Sequence, residues 1–254
     1  MTDALREKLI HAGRVLVDEG QGDYVWGHIS ARLPDGSGRF LMKPGCIGLE
    51  EMTPDNIIVC DIEGERVDGA WPRHNEVYIH SEVMRARPDI NAVVHTHPEH
   101  AIAFSTLGKP LAAISNDGTM FSAGVPIFDE TTDLITDQTR GRAVARVLGS
   151  GNALILRNHG IVTAGRSIEE AVFLAVKLER ACRIQMLAEA AGGPKLFVKE
   201  EDLPAKRGRT NRPDSQSNAF SYLVRRWHLR CGCAVPTQYE ARLENFDRRG
   251  YKGG

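Results

Sequence analysis

NAVVHTHPEH, residues 91–100, sets an apolar run directly before three histidines, His95, His97 and His100. An Ala-Val-Val run of this kind reads as a strand, and successive side chains of a strand point to opposite faces. His95 and His97 therefore share a face, with Thr96 on the other. At roughly 3.3 Å rise per residue their Cα atoms lie about 6.6 Å apart, so two imidazoles can converge on one ion at about 2.1 Å. Pro98 ends the ladder. His100 lies beyond it on a different element, where a structural role is expected.

Outward from this strand, the chain reads as strands flanked by helices. Upstream, HNEVYIHSEVMRARPD (74–89) places Val77, Ile79, His80, Val83 and Met84 close to one helical face, and Pro88 stops it. Before it come short β-like runs with turn signals between them: VWGHISARL (25–33), PDGSG (34–38), RFLMK (39–43) and NIIVCDIEGERVDG (56–69). This is the pattern of an antiparallel meander. The opening segment, with apolar Leu5, Leu9, Ile10, Val15 and Leu16, fits an amphipathic helix ended by Gly20 and Gly22.

Downstream, PEHAIAFST (98–106) reads as a short helix, LAAIS (111–115) and VPIF (125–128) as strand-like, and 134–150 as helix. NALILRNHG (152–160) reads as a buried strand, and 167–193 as a long helix capped by Ser167 and stopped by paired glycines. An α/β layered domain with a mainly antiparallel sheet follows. After Gly193 the composition shifts. PAKRGRTNRPDSQS (204–217) reads as a loop or partly disordered linker, and NAFSYLVRRWHLR (218–230) as an amphipathic docking helix. The expected organisation is a catalytic domain over 1–193 and a C-terminal extension over 194–254.

Composition excludes some function classes. The 254 residues are 42% hydrophobic and 26% charged, enough for a real core, and 32 Lys+Arg balance 33 Asp+Glu. No net field favours a nucleic-acid backbone or an anionic membrane. The N-terminal residues lack the apolar run of a signal peptide, and no segment approaches the roughly 20 apolar residues of a membrane span. A soluble cytoplasmic protein is expected, without nucleic-acid or membrane partners. Five irregularly spaced cysteines, Cys46, Cys60, Cys182, Cys231 and Cys233, suit reduced thiols, and the Cys231/Cys233 pair lacks the second cysteine pair of a structural metal site.

The strand 152–160 ends in His159, so a neighbouring strand can deliver a third imidazole to the same ion. A fourth candidate is Glu76, on the helix before the first metal strand, with His74 two residues earlier and His80 one turn later. Three neutral imidazoles and a carboxylate suit a divalent first-row ion, Zn, Mn or Fe.

GHIS, MKPGCIGLEEMTPDNIIVCDIEGERVDG, HNEVYIHSEVMRARPDINAVVHTHP and NALILRNHGIVTAGRSIEEAVFLA, in this order, resemble the class II aldolase/adducin family over residues 5–190. The resemblance implies an α/β/α layered sandwich, usually a homotetramer with active sites between subunits, and one divalent metal ion per subunit. It also implies that His95, His97 and His159 are the metal ligands, and that Glu76 is the acid/base and a further coordinating group. A metal of this kind acts as a Lewis acid on the enolate left when a carbon–carbon bond breaks.

The chain also departs from the sugar-phosphate members of that family. Where they carry small polar loops such as Gly-Asn-x-Ser, Thr-x-Ser-Gly and Ser-Ser-Glu, it has Gly27-His28-Ile29-Ser30, Met42-Lys43-Pro44-Gly45 and His74-Asn75-Glu76. His28, Lys43, Gly45, Arg73 and His74 then form the expected substrate-binding set, better suited to a carboxylate or a bulkier oxygenated ring than to a phosphate. The product-protonating tyrosine of the sugar aldolases has no counterpart in LAAISNDGTMF (111–121). The expected function is a metal-dependent carbon–carbon lyase, a decarboxylase or aldolase, on a small non-phosphorylated hydroxy- or oxo-carboxylate. A sugar-phosphate aldolase or epimerase and an iron-dependent oxygenase are the alternatives.

Overall fold

The strand expected at 91–97 forms over Ala92–Thr96, near the middle of an eight-stranded sheet. The structure, a computed structural model, describes residues 2–241, 246–247 and 250–251. In chain order the elements are α1 (Thr2–Leu16), β1 (His28–Arg32), β2 (Phe40–Met42), β3 (Ile58–Cys60), β4 (Arg66–Asp68), α2 (Val77–Ala86) and β5 (Ala92–Thr96). Then follow α3 (Glu99–Ser105), α4 (Asn116–Met120), β6 (Ile127–Phe128), α5 (Gln138–Leu148), β7 (Ala153–Leu156) and β8 (Gly160–Gly165). The chain continues through α6 (Ile168–Ala190), α7 (Leu203–Thr210) and α8 (Pro213–Cys231), and two short strands, β9 (Phe246–Asp247) and β10 (Gly250–Tyr251), pair only with each other.

The large sheet runs β4-β3-β2-β1-β5-β8-β7-β6, and each neighbouring pair is antiparallel except β6 with β7. Strand alternation divides the core into two layers. Ile29, Ala31, Ala92 and Val94 face α1, α3, α6 and α8, where Leu9, Phe104, Val172 and Phe220 are buried. Val93, Val162 and Ala164 face α2 and α5, where Val77, Ile79, Val83 and Val144 are buried. Each buried Val, Leu, Ile or Phe side chain among these contributes roughly 1.5–3 kcal/mol. The expected α/β/α sandwich with a mainly antiparallel sheet is the fold observed.

Two local readings are corrected. Residues 111–115 form no strand: the Ala112 N–H donates to Gln185 Oε1 at 2.8 Å, and the Ala113 carbonyl accepts from Val198 N at 2.8 Å, so their polar groups are satisfied outside any ladder. Residues 204–217 are not a loop but the body of α7 and the start of α8. Pro204 and Pro213 of this stretch sit in the first turns of these helices, where a missing N–H costs nothing. No helix among the described residues is long and apolar enough to cross a membrane.

Candidate metal centre

Sheet register gathers the histidines. His28 of β1 is paired with His95 of β5, so both side chains project from the same face, toward α2. On the other side of β5 lies β8, and the turn between β7 and β8 carries His159 next to Asn158, which adopts a left-handed φ of 57°. Gly160 is required there. A Cβ at this position would sit 2.4 Å from the Thr96 carbonyl and 2.8 Å from the His97 ring. Glu76 immediately precedes α2 and is held by its Oε1, which accepts the Ile135 N–H at 2.9 Å.

One nitrogen from each of His95, His97 and His159 and one oxygen of Glu76 lie within 4.8 Å of one another. His95 Nε2 is 3.1 Å from His97 Nε2, and Glu76 Oε2 is 3.6 Å from His95 Nε2 and 3.7 Å from His159 Nε2. Backing groups decide which nitrogens carry hydrogen. His95 Nδ1 is 2.9 Å from the Ile161 carbonyl, which can only accept, so Nδ1–H donates and Nε2 is a lone pair. His97 Nδ1 likewise donates to the Asp23 carboxylate at 2.8 Å. Two imidazole lone pairs therefore face each other, which is repulsive unless a cation lies between them. This donor set fits a divalent ion, with the carbonyl and carboxylate behind the rings fixing their tautomers.

Burial keeps His97 and His159 neutral. It pushes His159 down to about 4, helped by His95, and His97 to about 4 for the same two reasons. Burial alone raises the Glu76 carboxyl, but the hydrogen of the facing His28 outweighs it and holds Glu76 well below the usual carboxylate range.

A second group, His28, His74 and Glu76, is also close enough to share an ion, but its hydrogens point the other way. Ser30 Oγ lies 2.6 Å from His80 Nδ1, and His80 Nε2 lies 2.6 Å from His28 Nδ1. If Ser30 donates to His80 and His80 to His28, the hydrogen of His28 ends on Nε2, aimed at Glu76 Oε2 3.8 Å away. The reverse order would strand the buried Ser30 hydrogen and set a lone pair against the carboxylate. His74 Nδ1 accepts the Glu76 backbone N–H at 3.3 Å, so its Nε2 also bears hydrogen. This pair presents N–H donors rather than lone pairs, suited to an anionic oxygen beside the ion.

A cavity of about 740 Å³ opens over the cluster. Glu76, His97, His159, His74, Arg73 and Gly45 line it, with Trp26, Ile102 and Leu134 as apolar wall and Cys46, Thr132 and Asn158 as smaller polar groups. Arg73 is loosely held, its guanidinium 5.5 Å over the Tyr78 ring and 4.0 Å from Glu65. A larger cleft of about 1030 Å³, bounded by Arg87, Phe121, Gly149 and Arg207, carries none of the clustered histidines.

Of the expected substrate-binding residues, Gly45, Arg73 and His74 line the cavity, while His28 is fully buried behind Glu76. Lys43 is also fully buried, its ammonium donating to the Val25 and Pro44 carbonyls and lowered by burial to about 8. His100 is bound to Glu179 of α6, at 2.6 Å, and Asp117 is paired with Lys177 and Arg180. Tyr222 is exposed, whereas Arg226, Trp227 and His228 of α8 engage α1 and the turn after it. Cys231 and Cys233 belong to neither group able to hold an ion. Asp23 and His80 escaped sequence reasoning in these roles. Asp23 lies in a short polar segment whose aim depends on where α1 ends.

A model of the Class II Aldolase and Adducin N-terminal domain matches residues 7–186, and the chain belongs to this family. It is 31% identical over 217 residues to a 3,4-dihydroxyphthalate decarboxylase of Terrabacter sp., covering 80% of this chain and 88% of the relative. It is 32% identical over 203 residues to the 4-hydroxy-3-prenylphenylpyruvate oxygenase/4-hydroxy-3-prenylbenzoate synthase of Streptomyces roseochromogenus, covering 79% and 70%. The L-fuculose 1-phosphate aldolase from Glaciozyma antarctica superposes with a TM-score of 0.79 at 29% identity over 90% of each chain.

Proposed function

We propose that the protein is a divalent-metal-dependent carbon–carbon lyase acting on a small, non-phosphorylated hydroxy- or oxo-carboxylate, with decarboxylation as the favoured reaction. The observation that carries this reading is the facing Nε2 pair of His95 and His97 at 3.1 Å, with Glu76 and the cavity beside it. His95, His97, His159 and Glu76 would hold the ion. When bound, it supplies a Lewis acid for the charge that develops as a carbon–carbon bond breaks.

The protein's own groups do the rest. His74 Nε2–H and the Arg73 guanidinium orient the substrate's carboxylate oxygens, and Trp26, Ile102 and Leu134 exclude water from an apolar or ring portion. Glu76, held ionised, takes the proton of a substrate hydroxyl. The bond to the carboxyl carbon breaks, carbon dioxide leaves, and the electron pair stays on the remaining carbon. Glu76 returns its proton to that carbon, and a solvent proton restores the hydroxyl.

The decarboxylase relative supports this substrate class, and the loss of small polar loops disfavours a sugar phosphate. Aldol cleavage uses the same groups. Homotetramer assembly with sites at subunit interfaces fits Tyr24 at 82% and Trp26 at 53% exposure near the cavity. Unpaired cysteines fit a cytoplasmic, reducing setting. Residues 1–193 would form the catalytic unit and 194–254 an extension docked on it.

The Streptomyces relative favours a second reading, an iron-dependent oxygenase. Incubating the metal-loaded protein with 3,4-dihydroxyphthalate under argon, with carbon dioxide measured, separates the two. Anaerobic release of carbon dioxide at the aerobic rate is expected, and product that forms only with oxygen would replace the lyase by the oxygenase. Replacing His97 by Ala should remove both metal and turnover.

A further inference from the structure

The turn that follows α1 has partners on two sides. Over Val17–Gln21 the backbone leaves α-helical winding for a wider π-turn, and Gly20 adopts a φ of 78°. On the inner side, Gln21 is buried and its Oε1 accepts from Thr96 Oγ1 at 2.7 Å, while Asp23 accepts from His97 Nδ1 at 2.8 Å. Both contacts land on the end of β5 that carries the metal histidines. On the outer side, Arg226 of α8 bridges Asp18 and Glu19, with Nε 2.8 Å from Asp18 Oδ2, and Arg230 reaches Asp18 Oδ1 at 2.5 Å.

Asp18 and Glu19 are adjacent carboxylates, their side chains 10% and 12% exposed, that repel each other in this turn. A guanidinium spanning both removes the repulsion and fixes their separation. α8 does not need this clamp in order to dock, because Phe220, Leu223 and Val224 already bury its apolar side in the core. What the clamp holds is the turn.

We propose that Arg226 is a positioning residue for the metal centre: by locking Asp18 and Glu19 it sets the turn that aims Asp23 at His97. The inference rests on the metal reading above. It assigns the C-terminal helix a part in tuning metal affinity within its own subunit.

The test is cobalt(II) titration of the metal-free, full-length protein, followed by its visible absorption, with zinc affinity obtained by competition. Partners behind a metal-bound histidine typically control 10–100-fold in affinity. Arg226→Met keeps the packing of the side-chain stem and should weaken metal binding roughly tenfold while far-ultraviolet dichroism stays native. Asp23→Asn should weaken it by about 10–100-fold, and adding Arg226→Met to Asp23→Asn should change little more. A purely structural role would lower melting temperature and leave affinity unchanged. Unchanged affinity in Arg226→Met, or the same tenfold loss on the Asp23→Asn background, overturns the proposal.

If Arg226→Met fails to fold, Arg226→Lys serves instead. One ammonium cannot bridge both carboxylates in the same geometry, so an intermediate loss is expected and full affinity is the negative result. His97→Ala separates the two levels: undiminished metal uptake there removes the metal reading itself, whereas its loss beside an unaffected Arg226→Met removes only the positioning role.

Discussion

Glu76 is 2% exposed and faces three imidazoles, His28, His95 and His159, at 3.6–3.8 Å, and of these His95 meets it with a lone pair. Replacing it by Gln preserves shape and removes the charge and the proton-accepting oxygen. Metal should stay largely bound and turnover should fall by about 10²- to 10⁴-fold, the usual contribution of a positioned acid/base. Turnover equal to wild type, with metal content measured on the same sample, would remove the proton-transfer role. At this scale His95 and His97 were legible because strand alternation puts them on one face. Lys43 shows the opposite. Its charge reads as a substrate group, but tertiary packing turns the ammonium onto two backbone carbonyls.

Elements bring these residues within reach of one another. The β1–β5–β8 register places His28, His95 and Val162 in one row, and the β7–β8 turn can close over it only because residue 160 has no Cβ. Gly160→Ala forces its methyl against the Thr96 carbonyl and the His97 ring, an overpacking strain of about 1–3 kcal/mol. A fall of several degrees in melting temperature together with weaker zinc binding is expected. A change in neither would show that the turn can shift freely. α7 and the first turn of α8 are hidden in the sequence because the stretch holding Pro204 and Pro213 is polar and rich in turn formers. Whether proline stops a helix or starts one depends on which side the helix lies.

Over the whole molecule, the charge is nearly balanced, but histidine burial is not neutral in its effect. His11, His74, His97 and His159 are lowered by burial to about 4, 3, 4 and 4 from an ordinary 6.5. The unfolded chain takes up protons at these positions as pH drops through 6.5, while the folded chain resists until about pH 4. Stability of the metal-free protein is therefore full above 6.5 and declines between 6.5 and about 4. Calorimetry should find a melting temperature level from pH 8 to 7 and falling steadily below, with zinc reducing the fall. A level profile down to pH 5 would contradict the neutral burial of these imidazoles.

The sequence by itself determined the layered α/β class, the mainly antiparallel sheet, the ligand candidates His95, His97, His159 and Glu76, and the family resemblance. Periodicity, turn chemistry and residue type act over short stretches and are written locally. Tertiary structure decided that His28 and His74 present N–H groups while His95 and His97 present lone pairs, and that Asp23 stands behind His97. Those outcomes depend on partners such as Ile161, Ser30 and Arg226, brought from distant parts of the chain by sheet register and helix docking. A hydrogen bond is specified only when both its ends are in place.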